Sequence, residues 1–182
     1  ISNEMYLKRL IGGGYEKIFE FSRDFRNEGI DATHNPEFTL METMCAYVNY
    51  TENMDLVEEM LEFVAKKVTG STKINYQGKE IDFKRPWKRI SMVDAIKHYA
   101  KIDVEKMSDK ELKNKTEELK LDIPVFKRGI AIEEIFSELV EPKLIQPTIV
   151  YDYPFETCGL AKPKAENPEF AERFEPYVNG WE

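Results

Sequence analysis

The chain is poor in the residues that most metal and redox chemistry needs. Its 182 residues include two cysteines and two histidines. Cys45 and Cys158 sit in apolar surroundings without metal-ligand spacing. They read as two reduced, partly buried thiols of a cytosolic protein. With His34 and His98 alone, a histidine-based metal site has too few ligands. There is no Ser-His-Asp or Cys-His set, and no glycine-rich loop ending in lysine, so this is not a P-loop protein. No apolar run approaches the length of a membrane helix, about 20 residues. No signal-peptide pattern opens the chain. Positive charge is in deficit, with 26 Lys and Arg against 34 Asp and Glu and a net charge of -8. That excludes a broad nucleic-acid footprint and leaves room only for a local basic patch.

What is present suits one compact soluble domain. The hydrophobic fraction is 42% and the charged fraction 33%, outside the range of disordered chains. Both ends read as cut. The chain starts at Ile1 and almost at once enters the helix-like NEMYLKRLI, and it stops at YVNGWE. The expectation is a piece of a longer protein.

Hydrophobic periodicity gives a coarse order of elements. Met5, Leu7, Leu10 and Ile11 form a helical stripe closed by Gly12, Gly13 and Gly14. In YEKIFEFSRDFR, Tyr15, Phe19, Phe21 and Phe25 share one parity. Glu16, Glu20, Ser22, Asp24 and Arg26 share the other, which is the alternation of a strand with one apolar and one polar face. FTLMETMCAYVNY reads as its hairpin partner, and there Glu42 has the parity of Phe38, Leu40, Met44, Ala46 and Val48. A carboxylate on an apolar face is costly unless it is paired. It is either at an edge that reaches water or in a pocket that awaits a cation.

From Asn53, a candidate cap, a helix runs through Val57, Met60, Leu61, Val64 and Val68. TKINYQGKEIDF reads as a small hairpin turning at Gln77 and Gly78. Ser91 with Asp94 and Ser108 with Glu111 are capping-box patterns that open helices near 92–100 and 109–119. A last helix runs through Ile132, Ile135, Phe136, Leu139 and Val140. QPTIVYDYP reads as a buried strand and ERFEPYVNGWE as a return to strand. Strands thus flank a mainly helical block, which predicts an α+β fold built on an antiparallel sheet.

The connection FRNEGIDATHNPEF is about twice as long as an ordinary hairpin loop. It gathers an arginine, a carboxylate, a histidine, an amide and an aromatic ring on one rigid hairpin. Arginine neutralises phosphate oxygens with a planar fork, and an aromatic ring stacks on a base. The set suggests nucleotide binding.

FRNEG followed by HNPEFT, with Glu42 on the next strand, resembles motif 2 of the class II aminoacyl-tRNA synthetases. Within them it is most similar to lysyl-tRNA synthetases, in the subclass shared with the aspartyl and asparaginyl enzymes. The stretch from NEMYLKRL to LMET and the stretch from QPTIVYDYP to NGWE both carry the likeness, in the right order. The resemblance implies that residues 1–182 are a truncated part of that catalytic domain, with a helical insertion at about 66–140.

It also implies roles. Arg26 matches the catalytic arginine that touches the ATP α-phosphate and the amino-acid carboxylate. Glu28 matches the reader of the adenine amino group. His34 and Asn35 match positions near the phosphates and adenine, and Phe38 the ring that stacks on adenine. Glu4 matches a holder of the substrate's amino group, and Glu42 a polar residue of the lysine pocket. Glu175 and Glu182 match an acidic pair that approaches ATP and Mg²⁺. The implied reactants are lysine, ATP and tRNA, in a cytoplasmic parent enzyme that is a homodimer and has no membrane part. Met44 stands where the family usually has a tyrosine near the lysine ammonium, which implies altered side-chain selection. Without the family's motif 3 arginine, the fragment alone is expected to be inactive. Other readings are an aspartate or asparagine enzyme, a paralogue that lysylates a protein, and a non-catalytic binding module. The anionic Glu4 and Glu42 argue against aspartate.

Overall fold

A computed structural model describes residues 2–31 and 34–182. The chain divides into two compact units, Ile1–Asn49 and Tyr50–Glu182.

The first unit is one helix and one hairpin. Helix α1 (Glu4–Gly12) has an acidic first turn and ends in the glycine run, where Gly14 takes φ +103. Only glycine adopts that conformation without strain. Strands β1 (Lys17–Phe25) and β2 (Glu37–Cys45) pair antiparallel from Lys17 opposite Cys45 to Phe25 opposite Glu37. Residues directly opposite one another share a sheet face. One face therefore carries Ser22 and Asp24 with Leu40 and Phe38, and also Glu20 with Glu42. The other carries Phe19, Phe21 and Phe25 against Thr43, Met41 and Glu37.

The apolar sides of the two strands thus lie on opposite faces of the hairpin, which parity within each strand does not reveal. The phenylalanine side of β1, expected to be covered, is open: Phe19, Phe21 and Phe25 are each more than 60% exposed. The polar side is the one that packs. Helix α1 lies on it, its buried Leu7 facing inward, and Asp24 is 4% exposed.

The second unit places helices on both faces of a three-stranded sheet. Helix α2 (Tyr50–Thr69) starts before Asn53, so that residue lies inside the first turn and does not cap it. The hairpin of β3 (Lys73–Tyr76) and β4 (Lys79–Asp82) turns at Gln77 and Gly78, both with positive φ, as a tight two-residue turn requires. Strand β5 (Lys88–Ser91) escapes sequence reading. It runs into α3 (Met92–Ala95), which continues as a π turn over Ile96–Ala100. Ser91 caps α3 by accepting the Asp94 N–H, while Ser108 makes the full reciprocal box with Glu111 at α4 (Asp109–Glu118). Helix α5 (Arg128–Leu139), strand β6 (Thr148–Pro154) and strand β7 (Phe170–Tyr177) complete the unit.

The sheet order is β5-β6-β7. β6 is antiparallel to β7 but parallel to β5, so the sheet is mixed and not wholly antiparallel. The parallel pair follows from the connection, since helices α3 to α5 carry the chain back to the end of the sheet where β5 began. Central β6 is buried on both faces. Val150 joins a core with Met92, Ile96, Leu112, Ile135 and Phe136. Ile149 turns the other way, onto Met54 and Trp87. Helix α2 is tied to β5 by an ion pair: Glu58, 3% exposed, accepts from Arg89 Nε at 2.7 Å and from the Trp87 N–H at 3.2 Å.

Candidate active site

The β1–β2 connection is folded back on itself. The Arg26 N–H donates to the Pro36 carbonyl at 3.0 Å and the Glu28 N–H to the Arg26 carbonyl at 3.0 Å. Asp31 accepts the His34 N–H at 2.7 Å, and its carboxylate oxygens lie 3.0 Å from His34 Nδ1. These bonds pin His34, and with it Asn35, one residue before Pro36 closes the loop. Asp31 had no signal of its own in the sequence, because its use depends on the loop closing.

Arg26 lies with its guanidinium carbon 5.0 Å from the centroid of the Phe38 ring. A cation over an aromatic face is attracted by the ring quadrupole. The two residues assigned to phosphate and to adenine are therefore brought together. Arg26 is exposed and Phe38 half-buried.

The two residues assigned to the amino acid are linked through Ser2. Glu42 accepts from the Ser2 hydroxyl at 2.7 Å and from the Asn3 N–H at 2.6 Å. Ser2 Oγ in turn accepts the Glu4 N–H at 3.0 Å, and Lys8 Nζ bonds Glu4 at 2.5 Å. Glu42 thus sits at the positive end of α1, which favours an anion. Its place on an otherwise apolar strand face is explained by this helix end. Both carboxylates are engaged by the chain's own donors, and Lys8 holds Glu4 as a substrate ammonium would. Glu42 is four residues along β2 from Phe38, about 13 Å at the usual strand rise.

Asp24 was not expected as a special residue. It is buried beside this set. One carboxylate oxygen accepts from Ser22 at 3.0 Å, and the other has no hydrogen-bond partner among the described residues. Met44 faces Ile18 on the same side of the hairpin as Glu42.

In the second unit, Glu175 on β7 and Glu182 come together. Burial pushes the Glu175 carboxyl up to about 8, helped by its hydrogen bond to Glu182 and by that group's charge, while Arg173 opposes. Arg173 Nε donates to Glu175 at 2.8 Å, and its guanidinium lies 4.4 Å from the Tyr153 ring centroid. Two carboxylates that must share a proton are a site where a divalent cation relieves repulsion. Among the described residues no group of three His, Cys, Asp or Glu forms a metal cage. Mg²⁺ does not need one, since it is held by one or two carboxylates together with substrate phosphates. The pair fits that ion.

Residues 1–182 match the model of the tRNA synthetases class II (D, K and N). A lysine–tRNA ligase of Clostridium novyi (strain NT) is 48% identical over 187 aligned positions, covering all of this chain and 37% of the relative. One from Thermoanaerobacter sp. (strain X514) is 51% identical over 184 positions, again with 37% of its length covered. A third, from Pelotomaculum thermopropionicum, is 49% identical. The chain spans a little over a third of the length of these curated relatives. The match runs the length of the chain, and the chain belongs to the class II tRNA synthetases of the D, K and N group.

Proposed function

We infer that this chain is the motif 2 part of the catalytic domain of a lysine–tRNA ligase. The observation that carries the reading is the shared hairpin face. It holds the Arg26–Phe38 stack at one end and the Glu42–Ser2–Glu4 chain of carboxylates at the other. An anionic pocket about 13 Å from an aromatic platform suits a diamine acid aligned with a nucleotide.

In the proposed reaction a carboxylate oxygen of lysine attacks the α-phosphorus of ATP. The P–O bond to pyrophosphate breaks and lysyl-adenylate forms. A hydroxyl at the tRNA 3′ end then attacks the activated carbonyl, and AMP leaves. No protein nucleophile is required, so the residues contribute position and charge. Arg26 lies between the two anions that must meet. Phe38 stacks on adenine, Glu28 accepts from its amino group, and His34 and Asn35 line the phosphate and adenine side. Glu4 replaces Lys8 with the substrate's α-ammonium, and Glu42 turns from the α1 end to the side-chain ammonium. Glu175 and Glu182 would hold Mg²⁺, which neutralises phosphate charge when bound. The segment at about 66–140, from the last turn of α2 to the end of α5, is read as the insertion into this domain. The activity, the tRNA substrate and a homodimeric state belong to a protein of the relatives' full length.

The test is ATP–pyrophosphate exchange with a panel of amino acids in that longer protein. Exchange with lysine alone supports the reading. Exchange with aspartate or asparagine in place of lysine, or with none, overturns it.

A further inference from the structure

The chain as a whole is acidic, yet one cleft of the second unit is lined the other way. An open cleft of about 540 Å³ lies beside the residues that follow β4, the first residue of β5 and the approach to β6. Lys84, Arg85, Lys88 and Lys143 line it against a single carboxylate, Asp82. Arg85 is neutralised by Glu62 at 3.2 Å and Glu59 at 3.6 Å. The three lysines make no ion pair among the described residues, although most cations of this unit do. Asp82 is committed elsewhere. It accepts the Lys84 N–H at 2.9 Å, and that bond, followed by one from the Thr72 side chain, holds its carboxyl below the ordinary range.

Lys88 and Lys143 both bond Tyr99, one at its hydroxyl and one at its backbone carbonyl. Lys88 Nζ donates to the Tyr99 hydroxyl at 3.1 Å and lies 4.7 Å from the ring centroid. Lys143, from the short 3-10 turn Glu141–Lys143, donates from Nζ to the Tyr99 carbonyl at 3.0 Å. Two like charges from distant parts of the chain are thus held at one residue by neutral acceptors alone, which leaves both available to an anion.

We propose that this cleft binds the phosphodiester backbone of RNA, as a docking point for the body of the tRNA. The proposal rests on the reading of the chain as part of a tRNA ligase, but it uses none of the residues assigned to lysine or ATP. An open cleft rimmed by exposed lysines suits a run of phosphates more than one small anion. Lysine ammonium groups act as point charges, so they position a backbone without reading its bases.

The test measures binding of labelled tRNA to the 182-residue chain between about 50 and about 200 mM salt. Wild type is compared with K84Q/K88Q/K143Q, with the charge-retaining K84R/K88R/K143R, and with K110Q/K113Q/K120Q on α4 and the turn that ends it. The cleft glutamine variant is expected to bind about tenfold or more weakly at low salt. Its log–log salt slope should fall by about 2.7, at about 0.9 for each phosphate no longer neutralised. The arginine variant should restore both, and the α4 variant should leave both unchanged. No binding by wild type at the lowest salt, or equal weakening in the cleft and α4 glutamine variants, overturns the proposal. Complete displacement of tRNA by millimolar inorganic phosphate makes this a small-anion site instead. Displacement by polyglutamate as readily as by unlabelled RNA makes it an acidic-polypeptide site. Lysine-dependent exchange needs no tRNA, so its failure would sink the proposed function and leave this test standing.

Discussion

Arg26 rests on Phe38, although the proposed reaction uses the two groups separately. A nucleotide that stacks on the ring competes with the guanidinium, which is then free to turn to the phosphates. If Arg26 supplies the positive charge between two approaching anions, Arg26→Ala should cost about 3 kcal/mol or more of transition-state stabilisation, by analogy with other preorganised donors. That is a loss of about 150-fold or more in lysine-dependent pyrophosphate exchange. Near-normal exchange would remove Arg26 from the mechanism. Asp24 gives a second test at this scale. Its orphaned oxygen is buried with no donor among the described residues, and leaving such a group unsatisfied costs about 1–3 kcal/mol. Asp24→Leu removes the orphaned oxygen with little change of volume, so it should raise unfolding stability in urea by up to about that amount. A loss of stability would mean that the carboxylate finds a donor in solution. The contrast with Glu42 marks what a sequence can say at this scale. Glu42 was conspicuous because its strand neighbours are apolar. Asp24 looked ordinary on a polar strand side, and only the hairpin register and α1 bury it.

At the scale of elements, local chemistry was readable and pairing was not. The Ser108 and Glu111 box, the Gln77–Gly78 turn and the apolar β6 run are each written in a few adjacent residues. β5 is only four residues long and follows a proline, so it carries no alternation long enough to read. Which side of β1 is covered could not be read at all, because it depends on the register with β2 and on α1. The α2–β5 link is of the same non-local kind. Glu58 and Arg89 lie far apart in the chain and show nothing in common until the helix crosses the strand. Glu58→Ala leaves Arg89 its Asp55 partner but removes the buried acceptor of the Arg89 Nε–H and the Trp87 N–H. It should therefore lower stability by about 1–3 kcal/mol in denaturant unfolding, while Asp55→Ala, the exposed second partner of Arg89, should change it by less than about 1 kcal/mol. Equal effects of the two substitutions would show that the buried bond does not hold α2 to the sheet.

For the whole molecule, an acidic chain must keep its own carboxylates apart, and Glu175 and Glu182 are the exception. The folded-state value of Glu175 is raised to about 8, first by burial and then by Glu182. A carboxyl raised on folding contributes stability that is fully present below its unfolded value, about 4.3, and is lost as pH rises through the folded value. The metal-free chain should therefore become less stable across about pH 5 to 8. Mg²⁺ binds the deprotonated pair and not the shared proton, and a ligand that binds only the folded state raises the melting temperature by mass action. The two effects have opposite signs in pH. The gain in melting temperature from Mg²⁺ should be small near pH 5, grow through neutrality and level off above about pH 8. Glu175→Gln should flatten both curves, because it removes the titrating group while leaving Arg173 on the Tyr153 ring. A Mg²⁺ shift that is independent of pH, or unchanged in Glu175→Gln, would place the ion elsewhere and leave the carboxylate pair as an Arg173 anchor.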